Sequence, residues 1–148
     1  HVDDLCRRLI ASHGLGGDRL RLELAVPPCA LTLEQAVPLS LMLNELVANA
    51  CKHAFPDGRS GTLRVTVGAR QGRVTALSVA DDGVGLPAGF DPTDTRTLGM
   101  HLVAALARQL GWTVEVEAER PGTCFRITMI EDTARDRSAA ADVASVRP

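Results

Sequence analysis

Over residues 2–13, Leu5, Leu9 and Ile10 fall at helical spacing while Arg7 and Arg8 lie off that stripe, and Gly14 follows where a helix would stop. This spacing predicts a short amphipathic helix. Over 19–26 the order becomes Arg, Leu, Arg, Leu, Glu, Leu, a period of two that ends at Pro27-Pro28 and predicts a half-buried strand. Thr32 and Gln35 then form a capping-box pair. Leu39, Met42, Leu43, Leu46, Val47 and Ala50 follow the i, i+3, i+4, i+7 rule, which predicts a helix as far as Pro56. Pro38 sits in its early part and is expected to kink it or delay its regular ladder.

Pro56-Asp57-Gly58 reads as a turn before a β-type run over 63–67, and a second such run over 74–80 follows Gly72, so the two predict a hairpin. Residues 81–96 hold Gly83, Gly85, Pro87, Gly89 and Pro92, too many breakers for regular structure, and predict a long, mobile working loop. Helical spacing returns over 98–110 through Leu102, Val103, Leu106 and Leu110, with Gly111 as a stop. Runs over 113–118 and 124–130 predict another hairpin across Pro121-Gly122. Beyond Glu131 periodicity ends, and 131–148 is expected to be a flexible tail or linker. Strands fall mostly in adjacent pairs rather than in a βαβ array. The fold class expected is α+β, a two-layer sandwich of a mostly antiparallel mixed sheet with helices on one face.

The 148 residues are 45% apolar and 23% charged, a balance that suits one compact domain. Sixteen basic and eighteen acidic side chains give a net charge of −2, and with 3% aromatics and no Tyr there is neither a cationic field nor a stacking platform for nucleic acid. No run approaches the ~20 apolar residues of a membrane span, and His1-Val2-Asp3-Asp4 lacks the look of a signal peptide. A domain not embedded in a membrane, and cytoplasmic, is expected. Cys6, Cys29, Cys51 and Cys124 form no C-x-x-C pair and lie in apolar segments, so reduced, buried thiols are expected.

Three segments hold residues able to do chemistry. On the central helix Glu45, Asn49 and Lys52 stand at i, i+4 and i+7 along one edge of the apolar stripe. A carboxylate, an amide oxygen and an ammonium in a row can orient a nucleophile, ligate Mg²⁺ and neutralise phosphate, or can be a solvated helix face with an internal pair. Lys52 is the one lysine among the sixteen basic residues. The second segment is Asp81-Asp82-Gly83-Val84-Gly85-Leu86-Pro87 at the end of an apolar strand. A carboxylate there can accept from an exocyclic amine and the glycines admit a flat ligand; an ordinary glycine-rich turn is the other reading. Its match to G-x-G-x-x-A does not indicate a dinucleotide fold, because Pro87, Gly89 and Pro92 stop a helix from starting there. In the third, Thr97-Leu98-Gly99-Met100-His101, Gly99 would expose N–H groups at a helix start that attract phosphate, unless this is a plain capped helix. His13, His53 and His101 have no second ligand spaced to make a metal site.

In this order, N-E-L-V-A-N-A-C-K-H-A-F from Asn44, D-D-G-V-G-L-P from Asp81 and T-L-G-M-H-L-V from Thr97 resemble the N, G1 and G2 boxes of the GHKL ATP-binding (Bergerat) fold. The chain is most similar to the catalytic domain of bacterial two-component sensor histidine kinases, in a subfamily near the HWE kinases, whose N box also carries a glutamate. The likeness runs from about residue 5 to 130. It lacks the Trp-x-Glu element of HWE kinases near the G1 box, Trp112 lying elsewhere, and its G2 box has one glycine where many have two or three.

The resemblance implies an ATP-binding catalytic domain over 1–130 that uses ATP and Mg²⁺. It assigns Asp81 to the adenine amino group, Asn49 to Mg²⁺ bridging the phosphates, and Lys52 to phosphate oxygens. His53, Gly83, Gly85, Leu98, Gly99 and Met100 would also line the nucleotide, and Thr123 would back up Asp81. Glu45 matches the position of the base in hydrolytic members, so Glu45 and Lys52 would be the catalytic pair. Residues between Pro87 and Leu98 would form a short lid. The domain would phosphorylate a histidine on a dimerisation hairpin upstream in the same protein, for relay to a response regulator; none of the four histidines here lies in such a hairpin. An anti-sigma-factor serine/threonine kinase, or a non-catalytic nucleotide-binding module of the same fold, is the alternative.

Overall fold

The computed structural model describes residues 2–14, 19–86, 98–118 and 121–130. Its helices are α1 (Val2–Ala11), α2 (Leu33–Asn49) and α3 (Leu98–Leu110), and its strands are β1 (Leu20–Ala25), β2 (Gly61–Arg70), β3 (Arg73–Asp81), β4 (Trp112–Ala118) and β5 (Thr123–Met129). They form a sheet in the order β1-β2-β3-β5-β4. The two predicted hairpins are the antiparallel pairs β2/β3 and β4/β5, and β5 joins them by pairing antiparallel to β3. The remaining strand, β1, lies parallel to β2, and α2 is the crossover such a connection requires. One βαβ unit therefore stands beside the hairpins, which makes the sheet mixed.

Strand alternation explains why the helices share a face. Leu63, Val65 and Val67 of β2 stand opposite Asp81, Val79 and Leu77 of β3, and Leu77 and Val79 stand opposite Ile127 and Phe125 of β5. These apolar side chains share one core with Ile10 of α1, Met42 and Leu46 of α2, and Val103 and Ala107 of α3. The other face carries cross-strand ion pairs, Arg64 to Glu23 at 2.9 Å and Arg126 to Glu117 at 3.4 Å. Both pairs are half exposed and contribute little; they mark the solvent side.

Helix α2 begins as its sequence predicts. The Gln35 N–H donates to Thr32 Oγ1 at 3.3 Å, the Thr32 N–H donates to Gln35 Oε1 at 3.2 Å, and Gln35 Nε2 also reaches the Val74 carbonyl at 3.1 Å, tying the helix start to β3. The delay expected at Pro38 is absent: the helix starts at Leu33 and runs through it. Pro38 lies so near the N-terminus that its missing N–H deprives only the carbonyl of Glu34, an exposed residue with access to water. At the other end the regular helix predicted to Pro56 stops at Asn49. A π turn, Ala50–Ala54, and a 3₁₀ turn, Pro56–Gly58, follow it.

All four cysteines are free thiols, Cys6 and Cys124 buried and Cys29 and Cys51 partly so. Among the described residues no helix is long and apolar enough to cross a membrane. The predicted tail, 131–148, and the predicted lid, 87–97, lie outside the described residues.

Candidate functional site

Asp81 is the last residue of β3, and its position follows from alternation: it continues the inward row of Leu77 and Val79 into the place where the sheet ends. A carboxylate on that row is buried, at 8% exposure, and its Oδ1 accepts the Gly83 N–H at 3.0 Å. Thr123 opens β5 directly opposite Asp81 and is also buried. Asp82 faces outward and serves structure: its N–H donates to the Thr62 carbonyl at 3.3 Å, and its Oδ1 accepts the Thr62 N–H at 2.7 Å. Strand geometry thus separates two adjacent aspartates into a buried acceptor and an exposed staple.

The G1-like turn lies against the end of α2. Gly83 is buried on the Ala54 backbone, and the Val84 N–H donates to the Ala54 carbonyl at 2.9 Å. The smallness of Gly83, expected to admit a flat ligand, is here used by the chain's own π turn. Gly85 has φ +80° and approaches the Gly122 carbonyl.

Helix α3 contributes the third segment. Its first turn, Leu98, Gly99 and Met100, meets the polar edge of α2 at two points. A β-carbon on Gly99 would stand 2.5 Å from Glu45 Oε2, and Asn49 Nδ2 donates to Met100 Sδ at 3.3 Å. Met100 is buried in the main core, so its side chain is a packing and accepting group. The predicted cap Thr97 lies outside the described residues.

One expectation needs correction. Glu45 and Asn49 share one edge of α2, but Lys52 falls in the π turn, where i→i+5 geometry breaks the i+7 row assumed for a regular helix. Lys52 and His53 are exposed on that turn, with no hydrogen bond or ion pair to a described residue. Such turns recur at functional sites because they re-aim side chains that a regular helix would fix.

Gly122 is the residue that pattern reading missed. It has φ +105°, and a β-carbon there would collide with the Asp81 carbonyl. In the sequence it is half of a Pro-Gly turn signal, with nothing to indicate a close approach to Asp81. His13 is held by structure, its Nε2 2.9 Å from Asn44 Oδ1, and His101 is exposed on α3. Among the described residues no group of three His, Cys, Asp or Glu side chains forms a metal cage.

The site therefore gathers the end of α2, the turn after β3, the first turn of α3 and the β4–β5 turn. A separate apolar hollow between α1, α2 and the sheet, lined by Val2, Cys6, Leu39, Leu43, Val74 and Leu77, holds ≈ 20 Å³, about one water, and lies among core side chains.

The family described as histidine kinase-, DNA gyrase B- and HSP90-like ATPases matches residues 34–133. A blue-light-activated histidine kinase of Erythrobacter litoralis is 28% identical over 116 residues, covering 78% of this chain and 34% of that protein. The sensor histidine kinase PdtaS of Mycobacterium tuberculosis is 40% identical over 77 residues, covering 51% of this chain and 15% of that protein. The chain thus spans about a third or less of these relatives. A solved structure of the Erythrobacter litoralis blue-light-activated kinase superposes with a TM-score of 0.73 at 25% identity, over 86% of this chain and 40% of that one. The chain belongs to the histidine kinase-, DNA gyrase B- and HSP90-like ATPase family, and its mixed five-stranded sheet with helices is the GHKL sandwich of sensor-kinase catalytic domains.

Proposed function

We propose that this domain binds ATP with Mg²⁺ and transfers the γ-phosphoryl group to a histidine on a dimerisation hairpin upstream in the same protein, for relay to the receiver domain of a response regulator. The observation that carries the reading is the buried carboxylate of Asp81 at the end of the sheet, whose Oδ1 accepts the Gly83 N–H in the turn that packs on the π turn following α2. A buried carboxylate with no place in the apolar core has a role as an acceptor, and the exocyclic amine of adenine is the donor it suits.

The donor set also fits the rest of the nucleotide. Asn49 commits its amide nitrogen to Met100, which leaves the oxygen, the hard end that Mg²⁺ takes, on the other side of the amide. One protein ligand is enough, because Mg²⁺ is commonly held through substrate phosphates and waters rather than by an all-protein cage. When bound, the ion neutralises phosphate charge that would otherwise repel a nucleophile. Lys52, exposed on the π turn, is free to reach phosphate oxygens, and Glu45 stands one helical turn from Asn49, where it can orient the accepting nucleophile. Thr123 supports Asp81 from the neighbouring strand. Catalysis on this reading is positioning and charge neutralisation, with the reaction located in the cytoplasm, where ATP is supplied.

The test is phosphorylation of the full-length protein with γ-labelled Mg-ATP. Acid-labile label on a histidine outside this domain is expected, and Asn49→Asp should alter metal dependence more than selectivity for adenine. Acid-stable label on serine or threonine, or an unchanged Mg²⁺ response in Asn49→Asp, contradicts the reading.

A further inference from the structure

The bond between Asn49 Nδ2 and Met100 Sδ spans 51 residues of sequence and joins the last residue of α2 to the first turn of α3. A primary amide has a donor end and an acceptor end, and a half-turn about its last torsion exchanges them. A thioether has no proton to donate, so only the nitrogen end is favoured against it. Met100 is 6% exposed and packed in the main core, whereas Asn49 is only partly buried. The sulfur is therefore the fixed partner and the amide the adjustable one. One turn earlier Glu45 meets Gly99, so the same turn of α3 touches both Glu45 and Asn49.

We infer that Met100 is a positioning residue: its thioether holds the Asn49 amide by the nitrogen, so that the oxygen is already presented to the cation accompanying the nucleotide. This rests on the nucleotide-binding reading above. In the absence of the sulfur the amide samples both orientations, and binding Mg²⁺ must select one of them, which weakens metal-dependent affinity. The adenine contact at Asp81 does not pass through this bond, so the loss should be larger with metal than without it.

Met100→Leu tests this, because it conserves core volume and removes only the acceptor. Calorimetric titration of the purified protein with ATP is expected to show a loss of roughly two- to tenfold in the presence of Mg²⁺, the span of one neutral hydrogen bond, and a smaller loss in EDTA. In metal-free protein, nuclear magnetic resonance should show the Asn49 side-chain amide signals shifted by the substitution. In the unaltered protein one Nδ2 hydrogen should exchange more slowly than a free amide, a measurement that holds even if the variant does not fold. Equal losses with and without Mg²⁺ would make Met100 a packing residue only, and unshifted signals or free-amide exchange would also overturn the inference. If the unaltered protein binds no nucleotide, the functional reading falls and takes this inference with it; if it binds and Met100→Leu binds equally in Mg²⁺, the inference alone falls.

Discussion

Glu45 Oε2 occupies the space next to Gly99 that any other side chain would enter, 2.5 Å from where a β-carbon would stand. The obstructing atom is the far end of a flexible, partly exposed side chain, so an alanine at 99 displaces the carboxylate rather than the backbone. Gly99→Ala should leave thermal stability unchanged or raise it by up to about 1 kcal/mol, since alanine favours the helix. Phosphoryl transfer should fall by about tenfold or more, toward the level of Glu45→Ala, and the double variant should be no worse than Glu45→Ala alone. Additive losses in this cycle would separate Gly99 from Glu45.

Gly122 gives the opposite outcome, because its obstruction is backbone. With φ at +105° and the Asp81 carbonyl in the way, Gly122→Ala should cost at least about 2 kcal/mol in urea-induced unfolding, from strain and displacement of the β3 end. An unchanged midpoint contradicts the placement of this turn.

How much of this was legible in the sequence follows from the range of the interactions. The capping box, the amphipathic stripes and the alternating strands are local patterns, and Thr32, Gln35, Leu22 and Val65 fall where periodicity puts them. Placing β1 beside β2 depends on a crossover, and no local pattern in 20–25 shows which strand it will pair with. The resemblance names Asp81 rather than Asp82, and strand alternation is why the first of these two neighbours is buried and the second exposed. The π turn was not legible: Ala50, Cys51 and Ala54 suit a regular helix, and the i→i+5 bonding is imposed by packing of the G1-like turn on Ala54. The roles of Gly99, Met100 and Gly122 arise from contacts that span 54, 51 and 41 residues, to Glu45, Asn49 and Asp81, and spacing cannot reveal them.

The Cys6 thiol supplies a pH test of the core. Burial, aided by Asp3 and Cys29, raises its pKa from 9.0 to about 11. The folded protein keeps this proton when the unfolded chain has lost it, so the contribution is whole below pH 9 and is lost between pH 9 and about 11. Unfolding midpoints should decline over that window, and Cys6→Ala should flatten the decline. Iodoacetamide at pH 8 should modify native Cys6 at least about tenfold more slowly than the unfolded chain. Rapid alkylation in the native state contradicts its burial.

Thr32→Ala removes one half of the capping box and should cost about 1 kcal/mol in thermal unfolding, without changing nucleotide affinity. A loss of affinity beyond the loss of folded protein would mean that the start of α2 reaches the site.

Calorimetric titration of Mg-ATP into the unaltered protein and into Asp81→Asn tests the central claim most directly. The unaltered protein should bind, and the substitution should weaken binding by about 1.5 to 3 kcal/mol, the scale of a hydrogen bond to a charged group, with the fold intact by thermal unfolding. Equal binding by both proteins would remove Asp81 from the adenine pocket and contradict the account.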